Sequence, residues 1–381
     1  MGANGDESAP RQRKHFVFIY WLEHPVRDIE LMGFFVLNSD ITIGNFQFSG
    51  VNEVHISRGI HGVIDTATIH IPSISKIVSN GKVNPDIVVT GKQFSDGDPV
   101  TIKLGYNGNL QTEFMGFVKR RNLDMPLVVE CEGYSWLLRR NNVNIFYPTV
   151  SVADLLAAAV AGIDADYIIN VQCEVDITLN NVSIENKCGL EVLDMLSTYT
   201  DDCLTCFFIE PNTLWCGLVY TPFAGGDNPF GTGEDINSVN YRLGYNLVKD
   251  NSLEERLTEN DPVLVRYSKK LANGTVITAT SDAFPNYVRN TNKILNHITD
   301  AASLTMLANE KAYKLNYAGY EGSLRAFLQP YCLPGYNAYI ADDRYPERNG
   351  NYLVEGVQVD FGVNGARRII EMGPLSGFAN V

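Results

Sequence analysis

Charge is scarce in this chain of 381 residues, at 19%, and it runs one way, to a formal net of −14. A surface short of Lys and Arg is ill suited to gripping DNA, because that binding relies on cations displacing counterions from phosphates. Such a surface suits a passage where DNA slides without sticking, and it also serves plain solubility. Seven cysteines, an odd number, do not describe a disulfide framework. The longest helix-like apolar run, Leu155 to Ile163, is too short to span a bilayer, so no membrane insertion is expected. The run His15-Phe-Val-Phe-Ile-Tyr-Trp is closed by Glu23 and lacks a cleavage site. Asp6 stands where a myristoylation signal wants Ser or Thr. These features together point to a chain made and assembled in a reducing cytosol.

Signatures of catalysis are also missing. Glu132-Gly-Tyr-Ser-Trp-Leu only superficially approaches a nucleophile elbow, and Gly231-Thr-Gly233 lacks the Lys and the strand-helix context of a phosphate loop. His55, His61 and His70 fall in one β-region without a His-Glu-x-x-His pattern, and alternation puts His55 and His70 on polar faces. Cys203-Leu-Thr-Cys206, with Cys188 and Cys216 nearby, invites a zinc reading. Only one pair is closely spaced, however, and it sits in a strand-like run where i and i+3 face opposite sides, which favours buried thiols. Asp227, Glu234 and Asp235 offer calcium-type ligands but no EF-hand spacing, so a solvated loop is the better reading. No catalytic, cofactor-binding or metal-binding residue is assigned. The chain is expected to catalyse nothing and to need no cofactor.

A length of 381 residues exceeds what one core fills and implies two to four domains. Residues 1–14 are polar and turn-rich, the start of an N-terminal arm over 1–40. From 41 to 145 the pattern is that of a β-barrel. Val54 and Ile56 alternate with polar residues, as do Ala67, Ile69 and Ile71, and Val100, Ile102 and Leu104 line one face before the Asn107-Gly108 turn. Phe114, Gly116 and Val118 make the return strand, and Leu127, Val129 and Cys131 the next. An α/β insert follows over 146–222. Ser151-Val-Ala-Asp opens one helix, and Gly189 to Tyr199 forms another that buries Leu190, Leu193 and Leu196. Two strands then meet at Pro211-Asn212. A linker over 223–244 leads to a second barrel over 245–381, opened by Val263, Val265 and Tyr267 pairing with Val276 and Thr278 across Asn273-Gly274.

The end of the chain carries its most telling order. A helical stretch with Leu304, Leu307, Ala308 and Leu315 leads into Glu321-Gly-Ser-Leu-Arg-Ala-Phe. Leu333-Pro-Gly-Tyr-Asn-Ala-Tyr-Ile, Gly350-Asn-Tyr-Leu-Val-Glu-Gly-Val-Gln-Val-Asp-Phe and Gly365-Ala-Arg-Arg-Ile-Ile-Glu-Met-Gly follow. Part of this order recurs earlier: Gly97-Asp-Pro-Val-Thr-Ile-Lys-Leu matches the stretch from Gly335, Gly116 matches Gly356, and Leu127-Val-Val-Glu-Cys-Glu matches Ala366-Arg-Arg-Ile-Ile-Glu-Met. Over roughly 40–375 the sequence resembles the central hub proteins of contractile phage tails, the late control protein D family, and the hub-like N-terminal part of VgrG spikes.

The resemblance implies a mainly β fold, with two tube-like barrels of similar topology and an inserted α/β domain. It implies a homotrimeric baseplate hub that fits a six-fold tail tube to a three-fold spike and forms part of the channel. DNA would pass through without specific binding. Implied partners are the spike and tail tube proteins, with the tape measure and baseplate wedge proteins as further candidates. The implied location is the virion's tail baseplate, assembled in the host bacterial cytoplasm. Because the sequence ends just after the second barrel, the spike is expected on a separate polypeptide. Edge strands would join the subunits, and the interface candidates are Val54, Ile56, Ile69, Ile71, Leu324, Ala326 and Phe327. Two other readings stay open, a tail-associated cell-wall hydrolase and a carbohydrate-binding β-protein. For the second, Tyr313, Tyr317, Tyr320, Tyr331, Tyr336 and Tyr339 would supply the aromatic surface.

Overall fold

Alternating apolar residues and left-handed turns build most of this chain. The structure, a computed structural model, describes residues 16–17, 35–48, 50–79, 82–164, 166–230, 238–256, 262–284, 286–317 and 319–376. Of the arm expected over 1–40 only residues 16–17 and 35–40 are described, and the stretch holding Gly231, Gly233, Glu234 and Asp235 lies outside the described residues. The protein is mainly β, with α/β segments between its two β groups. Its packing divides it into two compact units that are discontinuous in sequence. Among the described residues, one contains those up to His55, Thr68–Cys131 and Asp360–Ala366; the other contains those of Ile56–Ala67, Glu132–Val359 and Arg367–Ser376.

The first β group contains β1 (Phe16–Val17), β2 (Val36–Ile43), β3 (Phe46–Phe48), β4 (Glu53–Gly59), β5 (Thr66–Ile71), β6 (Ile74–Ser79), β7 (Lys82–Val89), β8 (Pro99–Tyr106), β9 (Asn109–Asn122) and β10 (Leu127–Glu132). β6 and β7 form a hairpin of their own, and the main path runs β2-β8-β9-β10-β5-β4. Asn107 and Gly108 take φ of 52° and 83°, the two left-handed positions that a tight β8–β9 hairpin requires. As the alternation implied, Val100, Ile102 and Leu104 are buried, and so are Phe114 and Val118, Leu127 and Val129.

The α/β segment holds α1 (Ser135–Leu138), β11 (Val143–Ser151), α2 (Val152–Val160), β12 (Asn170–Cys173), β13 (Thr178–Lys187), α3 (Gly189–Tyr199), β14 (Thr205–Glu210), β15 (Thr213–Gly217) and α4 (Tyr220–Ala224). Ser151 caps α2 by accepting a hydrogen bond from the Asp154 N–H at 3.0 Å. In α3 the buried stripe is Val192, Leu193 and Leu196, and the expected Leu190 is only half-buried. β12, β15 and β14 form a three-stranded sheet in that order.

The second β group comprises β16 (Ser238–Arg242), β17 (Leu247–Arg256), β21 (Gly319–Ala326), β22 (Asn337–Ala341), β23 (Gly350–Gly362) and β24 (Gly365–Leu375). Its path, β22-β23-β24-β21-β17, repeats the order β8-β9-β10-β5-β4 strand for strand. The turn entering each first strand is also the same. Gly97 and Gly335 take φ of 93° and 88°. The Gly97 N–H donates to the Val118 carbonyl at 2.7 Å, and the Val118 N–H donates back to Asp98 at 2.9 Å. The Gly335 N–H donates to Val354 at 2.8 Å, and Val354 donates back to Tyr336 at 2.9 Å. The ladder then sets Val100 opposite Gly116 and Ala338 opposite Tyr352. Gly116 therefore corresponds to Tyr352, and the sequence match of Gly116 with Gly356 is corrected.

The hairpin expected to open the second group belongs elsewhere. β18 (Val263–Lys270), β19 (Val276–Thr280) and β20 (Arg289–Ile294) form a separate sheet in the order β19-β18-β20. α5 (Ala301–Asn316) lies against β18 and β19, with Leu304, Leu307, Ala308 and Ala312 buried. The second group opens instead with β16 and the polar β17.

Candidate assembly surfaces and buried anchors

Six of the seven interface candidates are committed to the chain's own core. Val54, Ile56, Ile69, Ile71, Leu324 and Ala326 are each 1% exposed or less, because alternation turns these apolar residues inward. β5 is paired with β10 and β4, and β21 with β24 and β17, so these strands present no open edge. The side chains of these six cannot face a partner, which corrects the expectation. Phe327 differs: it is 40% exposed and lies beside the Arg367 guanidinium, 5.3 Å from its ring centre.

Open strand edges lie elsewhere. β17 pairs with β21 on one side and with no described strand along the other. At its start the apolar side chains of Tyr245, Val248 and Phe327 are exposed together, tied by the Phe327 N–H donating to the Asn246 carbonyl at 3.2 Å. In the other unit the β6–β7 hairpin exposes Ile74, Ile87 and Val89. The Ser73 hydroxyl ties its base to the loop carrying exposed Leu123 and Met125, donating to the Asp124 carbonyl at 2.7 Å. Neither edge was visible in the sequence, since β17 lacks apolar alternation.

Buried charges hold the larger unit together. Glu310 of α5 is fully buried and accepts three backbone N–H groups at the start of α4: Val219 at 2.8 Å, Tyr220 at 2.9 Å and Thr221 at 2.8 Å. Burial raises its carboxyl above the ordinary value, while those N–H donors pull the other way. The same segment feeds a core of Phe207, Trp215, Phe223 and Phe230. Asp201 binds Lys293, accepts from the Tyr267 hydroxyl at 2.7 Å and lies 3.7 Å from Lys311. Burial raises Asp201, but the bonds from Lys293 and Tyr267 outweigh it and hold the carboxyl below its ordinary value. Arg368, fully buried, donates to the carbonyls of Leu328 at 3.2 Å and Cys332 at 2.9 Å.

The residues weighed for chemistry are dispersed. His55 pairs with Asp360 at 2.6 Å, His61 with Glu355 at 3.0 Å, and both are exposed. Cys203 is buried against the Tyr267 hydroxyl and the Leu307 carbonyl, and Cys188 stands at the start of α3. Cys206 pairs across the sheet with Cys216. Among the described residues no group of His, Cys, Asp and Glu is arranged to hold a metal ion. No described helix is long and apolar enough to cross a membrane. Of the six tyrosines considered for carbohydrate, Tyr317 and Tyr320 are buried and only Tyr339 is exposed.

No protein-family model matches the chain, and no curated protein matches its sequence. Solved structures do match its fold. A tail protein from Neisseria meningitidis MC58 superposes with a TM-score of 0.58 at 12% identity, covering 88% of this chain and 96% of that one. The 43 kDa tail protein of prophage MuSo2 from Shewanella oneidensis gives 0.54 at 12% identity, covering 90% and 98%. The E. coli c3393 protein, described as a type VI secretion component similar to the T4 tail proteins gp27 and gp5, gives 0.53 at 12%, covering 88% and 77%. At these identities the likeness is one of fold.

Proposed function

We propose that this chain is a structural hub of a contractile tail baseplate or a related injection machine, acting as a homotrimer. The observation that carries the reading is the repeated strand order with its matched entry turns. Two equivalent β groups per chain become six modules when three chains close a ring, which is the number needed to meet a six-fold tube above a three-fold spike. The tail-protein fold of the structural neighbours supports the same reading. On this account residues 41–145 and 245–381 carry the tube-like modules, with 146–222 an insert between them and 223–244 a linker whose last strand, β16, adds to the second β group, while β18–β20 and α5 within 245–381 stand outside its sheet. The chain works by assembly and not by catalysis.

Subunits join where backbone groups are open, along β17 with Tyr245, Val248 and Phe327 at its start, and at the β6–β7 hairpin. Partners are the spike and the tail tube, with tape measure and wedge proteins at the periphery. DNA passes through a lining whose acidic or neutral character gives phosphates little to hold, in keeping with the net charge of −14. Mass measurement of the chain co-expressed with its spike partner tests this. Three hub copies per complex support it, and a persistent monomer or a two-fold dimer overturns it. Salt-sensitive DNA binding by the purified protein at sub-micromolar concentration would overturn the proposed passive channel.

A further inference from the structure

Three of the seven free cysteines stand in a row. The β12–β15 ladder sets Cys173 beside Cys216, and the β14–β15 ladder sets Cys206 beside Cys216 from the other side. Residues directly paired across strands project from the same face, so all three thiols share one face of the sheet with Cys216 in the middle. Paired positions are ~4.5–5.5 Å apart in the antiparallel β14–β15 ladder and ~4.7–4.9 Å in the parallel β12–β15 ladder, inside the Cα separation of ~4.4–6.8 Å that a disulfide spans. Cys216 is buried, while Cys173 and Cys206 are half-buried and reachable from solvent.

We propose that Cys173, Cys216 and Cys206 form a thiol–disulfide site in which Cys216 bonds to either flanking cysteine, with a hydroperoxide as the oxidant. In the first step the Cys173 thiolate attacks one peroxide oxygen. The O–O bond breaks, the Cys173 sulfur becomes a sulfenic acid, and the leaving hydroxide takes a proton to become water. In the second step the Cys216 sulfur attacks the Cys173 sulfur, loses its own proton and displaces the hydroxyl as a second water. Two thiols have then lost two electrons and two protons, and one hydrogen peroxide has become two waters. The Cys206 thiolate can next attack Cys216, releasing Cys173 as thiolate and moving the disulfide to the other edge of the sheet.

The environment favours Cys173 as the first nucleophile. A hydrogen bond from Cys216, the largest influence, holds Cys173 down at about 7, against burial and the nearby charges of Glu174 and Asp176. Cys216 is pushed well up, first by its contacts with Cys173 and Cys206. Cys203 is pushed up by burial to about 12, and Cys131 is raised by burial too, so neither competes as a thiolate. A Cys173–Cys216 bond would staple β12, whose ladder partner is β15, onto the sheet.

Treating the full chain with hydrogen peroxide, then titrating thiols in denaturant and mapping peptides by mass, tests the site. The expected result is loss of two of the seven thiols, with Cys216 linked to Cys173 or Cys206. Cys206→Ser should retain the Cys173–Cys216 link, Cys173→Ser should lose the first nucleophile and form the Cys206–Cys216 link far more slowly than wild type, and Cys216→Ser should form neither. Seven intact thiols, a link elsewhere, or over-oxidation of Cys173 without a link would overturn the proposal. A second measurement stands even if Cys216→Ser fails to fold. Brief alkylation of the native wild-type chain near neutral pH should label Cys173 ahead of the other six, and faster labelling of Cys188 or Cys206 would overturn the assignment.

Discussion

Replacing Glu310 with Ala should strike the larger unit harder than any surface change. The carboxylate is the acceptor for three N–H groups, two buried and one half-buried, with Oε1 taking Val219 and Tyr220 and Oε2 taking Thr221. A hydrogen bond to a charged group contributes ~1.5–3 kcal/mol, and a buried donor left unpaired costs ~1–3 kcal/mol. Removing the carboxylate also recovers its desolvation cost, so the net loss should be ~3–5 kcal/mol, as for other broken buried charge networks. At ~2–4 °C per kcal/mol for a unit of this size, the melting temperature should fall by roughly 10 °C. Glu310→Gln keeps an oxygen for two of the donors but sets an amide N–H against the third, and should cost about half as much. Thermal unfolding followed by tryptophan fluorescence is suitable, because Trp215 lies in the core fed by this segment. A Glu310→Ala shift under about 3 °C, or a larger loss for Gln than for Ala, would refute the reasoning.

Gly97→Ala and Gly335→Ala should each cost ~1–3 kcal/mol, because both positions need positive φ. Gly335→Ala should cost more, since a Cβ there would meet the Phe230 ring at 3.0 Å; equal stability of Gly335→Ala and wild type in denaturant titrations would contradict this. Asp201 is held below its ordinary value, so its ionised form adds stability that is present above about pH 4 and is lost as the pH falls through the lowered value. Asp201→Asn keeps a residue that tolerates the φ of 55° while removing the charge. It should be less stable than wild type at pH 7, with the gap narrowing below about pH 4; a gap that stays constant with pH would contradict it.

Local chemistry was legible in the sequence and long-range pairing was not. Asn107-Gly108, the Ser151 cap and the alternation of Val100, Ile102 and Leu104 each depend on neighbours a few residues away, and each stands as expected. β17 escaped notice because an edge strand with one apolar face barely filled carries no alternation. The β18–β19 hairpin was recognised across Asn273-Gly274, but nothing in its residues says which sheet it joins. Glycine spacing suggested Gly116 for Gly356, whereas the hydrogen bonds of Gly97 and Gly335 set the register. The interface candidates failed for a related reason. An apolar alternating face reads the same whether it meets a partner or the chain's own core, and at Val54, Ile69 and Ala326 it meets the core. The cysteine row was hidden because β12 reaches β15 by parallel pairing, which brings Cys173 to Cys216 from far along the chain.

Imaging the complex with its spike partner by cryo-electron microscopy tests the central claim most directly. The account predicts three chains in one ring, with the β8-β9-β10-β5-β4 and β22-β23-β24-β21-β17 groups alternating around six equivalent positions. A two-fold assembly, or a ring lined by only one of the two groups, would contradict it.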